Sequence, residues 1–289
     1  MLANEWSLVL FTILAQTAIG MLLVSEIARM MTESPAKLFT WQLPVISAIT
    51  GVSLLLSLAH LGTPLHSMFT MFNAGTSWLS REILTTCGFF ASVLALTFLR
   101  HKTPEAKATA LSLLAVFFGL ATVFAMSRVY MLTTIPVWDS ISTMLGFYGT
   151  MLISGSIAGG LLFGIQNNLA DMTKEDLNRI TGMFIIAAVI GLALKFVGIP
   201  LDMVALDATN SMDVSGIELM ASGGLIFLAA RTVLIFLGTA LFAWAAFKII
   251  TSTEGKAMTN LSLCAFGLVF VGEIIGRIMF YGTYLRIGI

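Results

Sequence analysis

The chain has 289 residues, of which 58% are hydrophobic and only 10% are charged, and its formal net charge at pH 7 is zero. Soluble domains carry about 25% charged residues, so the composition excludes a soluble fold and indicates an integral membrane protein. A zero net charge offers no basic surface, so nucleic acid is not expected as a partner. The two cysteines, Cys87 and Cys264, lie in separate apolar segments without a CxxC spacing, which predicts packing residues rather than a disulfide.

Eight apolar segments are long enough to cross a bilayer as helices, which requires about 20 residues each. They are continuous and do not alternate between polar and apolar residues, so a β-barrel is disfavoured. The sequence therefore predicts an all-α integral membrane protein with eight transmembrane helices. In chain order the segments are Ser7–Ala28, Trp41–Leu61, Glu82–Leu99, Thr109–Met131, Ile141–Ile165, Arg179–Ile199, Gly224–Ile250 and Met258–Gly282.

The whole chain, residues 1–289, is predicted to form one membrane domain that lies in the lipid bilayer. A short polar linker at residues 166–178 divides it into possible halves, residues 1–165 and 179–289. Each half contains several spanning segments, and we expect two four-helix bundles.

Basic residues outside the spans predict the orientation. The loops after the odd-numbered segments, with their flanking helix ends, hold nine of them, whereas the opposite side holds only Arg81 and Arg286. Lys and Arg accumulate on the cytoplasmic side of membrane proteins. We therefore expect both termini outside, in the periplasm, and the protein in a bacterial inner membrane. The nine are Arg29, Lys37, Arg100, Lys102, Lys107, Lys174, Arg179, Lys248 and Lys256.

Several ionisable residues lie inside the predicted spans, where charge is expensive and by default suggests function. Most fall in the outer halves of their helices; Glu26, near the inner end of the first, is the exception. A long side chain near a helix end reaches the headgroups without a partner, and this is the interpretation favoured for Lys195. The residues in the outer halves are Glu82, Arg128, Lys195, Arg231, Glu273 and Arg277.

Glu273 and Arg277 are four residues apart and share one helix face. Glu273 lies too deep for its short side chain to reach water, so it must be paired, protonated, or both. Two interpretations stay open from the sequence. One is a buried Glu273–Arg277 ion pair that orients the last helix, and the other is the lining of a polar pocket.

A second pair is His60, at the end of the second segment, and Glu82, at the start of the third. Because the two helices are consecutive, both residues are expected at the same outer rim. Histidine changes its charge near neutral pH, and a carboxylate beside it orients the ring. Such a pair accepts protons released when a bound molecule is oxidised. An interfacial histidine and a helix-capping glutamate would fit the same spacing.

The sequence contains no redox centre of its own. Haem iron commonly takes histidine as an axial ligand, and none of the three histidines lies centrally in a predicted span. Two distant cysteines do not form a cluster-binding set, and no metal-ligand spacing is present. We therefore predict no haem, no iron–sulfur cluster and no metal in this chain.

Short motifs in this chain resemble the membrane anchor subunit of bacterial dimethyl sulfoxide (DMSO) reductases, the DmsC family. They occur in the expected order and spacing over essentially the whole chain. The chain also resembles, more distantly, the anchors of polysulfide-reductase-like complexes. The motifs are His60-Leu61-Gly62-Thr63-Pro64, Ser80-Arg81-Glu82-Ile83, Arg128-Val129-Tyr130 with Pro136-Val137-Trp138, and Gly272-Glu273-Ile274-Ile275-Gly276-Arg277 with Phe280-Tyr281-Gly282.

The resemblance implies an anchor that oxidises menaquinol near the periplasmic face and passes the electrons to an iron–sulfur subunit in anaerobic respiration. A molybdopterin catalytic subunit would reduce the terminal acceptor, so this chain would hold no catalytic residue for that step. His60 and Glu82 match the histidine and glutamate of the family's quinol site. Five further residues match family-typical positions and are expected to shape the pocket or hold the helices: Arg128, Tyr130, Glu273, Arg277 and Tyr281.

Two other classes of function are compatible with the sequence. A transporter or channel would have a polar substrate site within the membrane, typically near the bilayer midplane. Most charges here gather toward one face, which favours the anchor. The other alternative is an anchor with a purely structural role.

Overall fold

The computed structural model describes residues 6–32, 39, 41–60, 73–103, 108–131, 138–166, 172–210, 224–251 and 255–282. It describes the backbone alone at residues 60, 166, 205–210, 250, 251 and 255–258.

The described residues form eight α-helices, and each is long and apolar enough to cross a membrane. Within these residues there is no β-strand, which confirms the predicted all-α architecture. The grouping into two bundles and the orientation of the termini stay predictions. The helices are α1 (Trp6–Met31), α2 (Gln42–His60), α3 (Trp78–Lys102), α4 (Thr109–Met131), α5 (Ile141–Gln166), α6 (Lys174–Asn210), α7 (Leu225–Thr251) and α8 (Gly255–Gly282).

Three helix boundaries differ from the sequence prediction by four residues or more: the start of α3, the start of α6 at Lys174, and the end of α6. The third helix begins at Trp78, because the Ser77 hydroxyl accepts a hydrogen bond from the Ser80 amide and caps the first turn. Glu82 consequently lies in the second turn of α3. Helix α6 continues through Pro200 to Asn210. Proline lacks the amide hydrogen, but membrane helices tolerate it where neighbouring groups satisfy the freed carbonyl.

Helices α1 and α5 touch through their backbones at Gly20 and Gly155. A Cβ atom at Gly20 would lie 1.9 Å from the Met151 carbonyl oxygen, and one at Gly155 would lie 2.4 Å from the Gly20 Cα atom. Only glycine fits such a contact, and small residues at helix interfaces are the usual means of close packing in membranes. The contact places α1, most of whose residues are buried, in the interior of the helix assembly.

Successive helices run in opposite directions, so the start of α1 meets the end of α8. Val9 and Ile13 of α1 pack in one apolar cluster with Trp138 and Tyr281. We call this end, which also holds the start of α3, the Glu82 end of the molecule. The other end is called the Glu26 end.

At the Glu26 end, Arg29 and Arg100, which the sequence predicts to be loop charges, are buried. Arg100 is fully buried, and its guanidinium donates to both carboxylate oxygens of Glu26, at 2.9 Å for Nη2 and Oε2. Arg29 donates from Nε to the same carboxylate at 3.0 Å. Arg29 and Arg100 therefore lie at this end because they pair with Glu26, and not because their charges reach water. Seven of the nine basic residues remain as orientation signals, so the predicted direction is unchanged.

Candidate functional site

Glu82 is a buried acid at the Glu82 end of the molecule. It is only 7% exposed. The neighbouring Thr85 and Thr86 hydroxyls donate to its backbone carbonyl, at 3.1 and 2.6 Å, and not to its side chain. No described residue forms a hydrogen bond or ion pair with its carboxyl group. Buried polar groups almost always have partners, and the exceptions often belong to functional sites.

His60, the proposed partner of Glu82, is the last residue of α2. Its side chain lies outside the described residues, so its proximity to the Glu82 carboxyl stays a prediction. The backbone supports the expected placement, because α2 and α3 pack against each other as consecutive helices. The residue that ends α2 is therefore at the same end of the molecule as the residue that begins the second turn of α3.

Tyr130 and Tyr281 come together beside Glu82. Their hydroxyl oxygens are 3.0 Å apart, and the charge of the Glu82 carboxyl group reaches both hydroxyl groups. Tyr281 is buried, whereas Tyr130 is half-buried. The structure thus brings together three of the residues predicted from the sequence, on α3, α4 and α8.

Aromatic rings enclose Tyr130 on several sides. Its ring centroid lies 5.3 Å from that of Trp138, 5.7 Å from that of Phe147 and 5.2 Å from that of Phe280. The indole nitrogen of Trp138 donates to the Phe280 carbonyl at 2.9 Å and fixes the stacked rings of the two residues. Edge-to-face aromatic packing of this kind holds side chains rigidly, so the Tyr130 hydroxyl has a defined position.

Arg277 connects this aromatic group to the interior of the molecule. Its guanidinium donates from Nη2 to the Gln16 side-chain oxygen at 2.7 Å and lies 3.7 Å from the centroid of the Phe147 ring. A cation over an aromatic face is favourable, and more so away from water. Arg277 is 5% exposed, and its contacts tie α8 to α1 and α5.

Glu273 pairs with Lys195 and not with Arg277, so of the two interpretations that the sequence left open, the Glu273–Arg277 ion pair is wrong. The Lys195 ammonium group donates to Glu273 Oε2 and to the Thr150 hydroxyl oxygen, both at 2.8 Å, and Thr150 donates to the same carboxylate oxygen at 2.9 Å. Spacing along α8 places Glu273 and Arg277 on one face, but α6 supplies a cation at closer range.

The snorkelling interpretation of Lys195 is also wrong. Lys195 is only 9% exposed, because its Glu273 partner lies inside the helix assembly. The pair borders a cavity of about 60 Å³, so the polar-pocket interpretation of Glu273 is the one that the geometry favours. The cavity is lined by Ser142, Thr143, Gly146, Phe147, Thr150, Lys195, Asp202, Arg231, Glu273, Gly276, Arg277 and Phe280.

Arg128 lies at the rim of the Glu82 end and not among the tyrosines. Its guanidinium carbon is 5.5 Å from the centroid of the Trp78 ring, and that of Arg81 is 4.3 Å from the same ring. The described contacts of Arg128 therefore support a role in holding α4 against α3. Trp78 is four residues before Glu82 on the same helix face, a spacing that could have identified it from the sequence.

Gln16 and Thr150 are the other residues that the sequence analysis missed. Both are at most 1% exposed and form hydrogen bonds with charged side chains of α8. Gln16 had a detectable signal, because an amide in the middle of an apolar span needs a partner. Thr150 had no such signal. A threonine in a helix ordinarily donates its hydroxyl to the carbonyl four residues before it, so it needs no other partner.

The eight membrane-length helices, with buried ionisable groups between them, define a multi-pass integral membrane protein. The profile of the DMSO reductase anchor subunit (DmsC) family matches residues 2–283. The chain belongs to this family, and the resemblance found in its motifs is confirmed. As a member, it is a membrane anchor of a DMSO reductase complex, which includes catalytic and electron-transfer partners.

Three similar proteins align with this chain over nearly its full length. The YnfH subunit of anaerobic dimethyl sulfoxide reductase from Escherichia coli (strain K12) is 29% identical over 295 residues, which are 99% of this chain and 96% of that protein. The C subunit of the anaerobic dimethyl sulfoxide reductase of the same organism is 28% identical over the same shares. The C subunit of the Haemophilus influenzae enzyme is 26% identical over 98% of this chain and 96% of its own length. No solved structure matches the protein.

Proposed function

We propose that this anchor binds menaquinol at the Glu82 end, oxidises it, and passes its electrons to an iron–sulfur subunit of a DMSO-reductase-type complex. A molybdopterin catalytic subunit then reduces the terminal acceptor in anaerobic respiration. The observation that carries the proposal is the buried Glu82 carboxyl group, which no described residue engages, beside the Tyr130 and Tyr281 hydroxyls. Family membership supplies the context.

The chemistry needs a base for protons and a separate acceptor for electrons. Oxidation of a quinol releases two electrons and two protons. In this proposal Glu82 accepts one proton from a quinol hydroxyl group, and His60 is the second base. The two tyrosine hydroxyls define a polar edge of the same region, and the aromatic rings around Tyr130 provide an apolar wall for the quinol ring. The electrons go to a cluster in the partner subunit.

The proposed orientation of the protein in the membrane rests on the distribution of basic residues among the loops. In the sequence, seven basic residues lie in the loops and helix ends that follow odd-numbered helices, against two outside the spans on the opposite side. This count favours a periplasmic Glu82 end under the positive-inside rule. Menaquinol oxidation would then take place near the periplasmic face of the inner membrane. The iron–sulfur subunit would dock on that face, because electron transfer requires it close to the quinol.

The test is Glu82→Gln in the assembled complex. Glutamine keeps the size and polarity of the side chain but is not a base, so oxidation of a reduced menaquinol analogue should fall by about 10²-fold or more. Reduction of the terminal acceptor by a dye that donates directly to the partner subunits should be unchanged. The matched control is Glu175→Gln, an exposed glutamate that pairs with Arg179 at the Glu26 end.

The second variant is His60→Ala. It is expected to assemble and to show the same loss of menaquinol oxidation with intact dye-driven activity. An inhibitory quinol analogue should also bind less tightly to the Glu82→Gln complex, which separates a quinol site from a purely structural anchor. Full menaquinol oxidation in both variants would mean that the site lies elsewhere.

A further inference from the structure

A groove on the lipid-facing side of the molecule runs between α6 and α7. Apolar side chains form its walls, and Phe196 at its edge is 43% exposed. Two basic residues, Lys195 and Arg231, also belong to its lining. The lining of the groove is thus mostly apolar, and its positive charge comes from Lys195 and Arg231 alone. Its apolar lining includes Leu192, Phe196, Leu228 and Ile235.

Of the two basic residues in the groove, Arg231 has the fewer hydrogen-bond partners. It lies six residues into α7, about 9 Å from the start of the helix at 1.5 Å per residue. Its guanidinium packs against α8, since a Cβ atom at Gly276 would be 2.5 Å from Arg231 Nε. No described residue forms a hydrogen bond or ion pair with it. Arg231 is therefore held in place by packing, and its N–H donors have no described acceptor.

The charges around Arg231 leave a positive excess. Three cations, Lys195, Arg231 and Arg277, border the same cavity as two carboxylates, Asp202 and Glu273. Within the described residues, the Lys195 charge is engaged by Glu273. Asp202, the second carboxylate of the cavity lining, forms no ion pair with a described residue. A phosphate group suits a guanidinium, since it accepts two parallel hydrogen bonds.

The cavity behind Arg231 also presents an acceptor. Glu273 is 1% exposed, and its Oε1 atom has no hydrogen-bond partner among the described residues. A hydroxyl group would satisfy this oxygen, whereas a second anion would not. The cavity of about 60 Å³ gives such a group room. The ligand that fits has an acyl chain, a phosphate and a headgroup hydroxyl.

We propose that the α6–α7 groove binds an anionic phospholipid with a hydroxyl-bearing headgroup, of the phosphatidylglycerol type. Arg231 holds the phosphate, and a headgroup hydroxyl donates to Glu273 Oε1. An acyl chain lies along Leu192 and Phe196. Basic pockets between transmembrane helices on the cytoplasmic side are known recognition sites for anionic lipid headgroups, and this groove would offer the same chemistry near the opposite face. This site uses residues other than Glu82 and His60 and does not rest on the proposed quinol chemistry.

The test measures lipid binding to the delipidated, detergent-purified complex. Phosphatidylglycerol and phosphatidylcholine with identical acyl chains are titrated, and bound lipid is counted by native mass spectrometry. The intact complex should prefer phosphatidylglycerol. Arg231→Gln should weaken phosphatidylglycerol binding about tenfold, the effect of losing one charge-assisted interaction, with phosphatidylcholine binding unchanged. Lys248→Gln, on the same helix at the Glu26 end, is the matched control and should behave as the unaltered complex.

Two further variants distinguish a loss of lipid binding from a folding defect. Arg231→Lys keeps the charge and should retain most of the preference for phosphatidylglycerol. Leu228→Trp fills the groove without changing charge and should weaken binding of the same lipid. If neither Arg231→Gln nor Leu228→Trp reduces the preference for phosphatidylglycerol, the proposal is overturned.

The remaining arms identify the ligand. Inorganic phosphate at the same concentration should not displace phosphatidylglycerol, and full displacement would reduce the site to a phosphate site without a lipid chain. Glu82→Gln should leave phosphatidylglycerol binding intact, so failure of the quinol proposal would be separately visible. If Arg231→Gln instead abolishes binding of a menaquinone analogue and spares the lipid, the groove belongs to the quinone and this inference is wrong.

Discussion

The hydroxyl groups of Tyr130 and Tyr281 are 3.0 Å apart, although the two residues are separated by 151 positions in the chain. The contact joins the end of α4 to the end of α8 and places both rings beside Glu82. It also brings two motifs of the family into one site. Each motif contributes a tyrosine, and the polar edge of the proposed quinol site exists only where they meet.

Removing one hydroxyl should therefore affect quinol oxidation specifically. Tyr281→Phe keeps the buried ring and is expected to slow menaquinol oxidation several-fold, with a stability loss of about 1 kcal/mol for the lost hydrogen bond. The rate is measured with a reduced menaquinol analogue, with dye-driven activity as the internal reference. Tyr148→Phe is the control, because that hydroxyl donates to the Leu120 carbonyl on the outside of the site. Equal rates in both variants would remove the tyrosine pair from the mechanism.

The Gly20–Gly155 contact should tolerate no side chain. Gly20→Ala would place a Cβ atom 1.9 Å from a backbone oxygen, so α1 and α5 must separate, at a cost of about 3 kcal/mol or more. The melting temperature of the purified complex should fall clearly. Gly182→Ala has nothing within 4 Å of its new Cβ atom and should leave the melting temperature unchanged or slightly higher. A Gly20→Ala complex as stable as the control would contradict the close helix contact.

The Glu26 end depends on one carboxylate for two buried arginines. Glu26→Gln leaves Arg100 and Arg29 without their counter-charge, and breaking such a buried pair costs about 3–5 kcal/mol. We expect reduced accumulation in membranes and a lower melting temperature. The comparison is Glu175→Gln, whose partner Arg179 is 46% exposed. Exposed pairs contribute about 0–1 kcal/mol, so a similar loss in both variants would show that burial is not the cause.

Lys195 and Glu273 should behave as a coupled pair. Lys195→Met leaves a carboxylate buried without its cation, and Glu273→Gln leaves an ammonium group without its anion, so each single variant is expected to accumulate poorly in membranes. The double variant removes both charges and should recover part of the loss. A double-mutant cycle on membrane yield and melting temperature measures this coupling. Strictly additive losses would indicate that the two side chains do not interact.

Hydropathy alone was sufficient to predict the eight helices, because the requirement for about 20 apolar residues acts on each segment separately. The family was also predictable, because short motifs such as the one around Glu82 can be recognised from their residues, order and spacing in the sequence. The predicted helix start at Glu82 was late by about one turn, because the Ser77 cap is a weak local signal beside a strong apolar one. Polar residues that begin a membrane helix carry little weight in an average over 20 residues.

The charged residues were harder to predict, and here the errors share one cause. Lys195 resembled a snorkelling lysine, and Arg29 and Arg100 resembled loop cations, because each lies close to a helix end in the sequence. The structure gives all three buried acidic partners. A sequence position determines the depth of a side chain in the bilayer but not the direction in which it points. That direction decides whether a cation meets water or a carboxylate.

The sequence by itself determined that this protein is an eight-helix membrane anchor of the DMSO reductase family, and it identified Glu82 as the acid to examine. Only the tertiary structure decided which charges pair. Glu273 bonds to Lys195 across helices, and Arg277 bonds to Gln16 on α1. The physical reason is that burial in lipid depends on local composition, whereas a buried charge must find a partner at hydrogen-bond distance. That partner is chosen by how the helices pack.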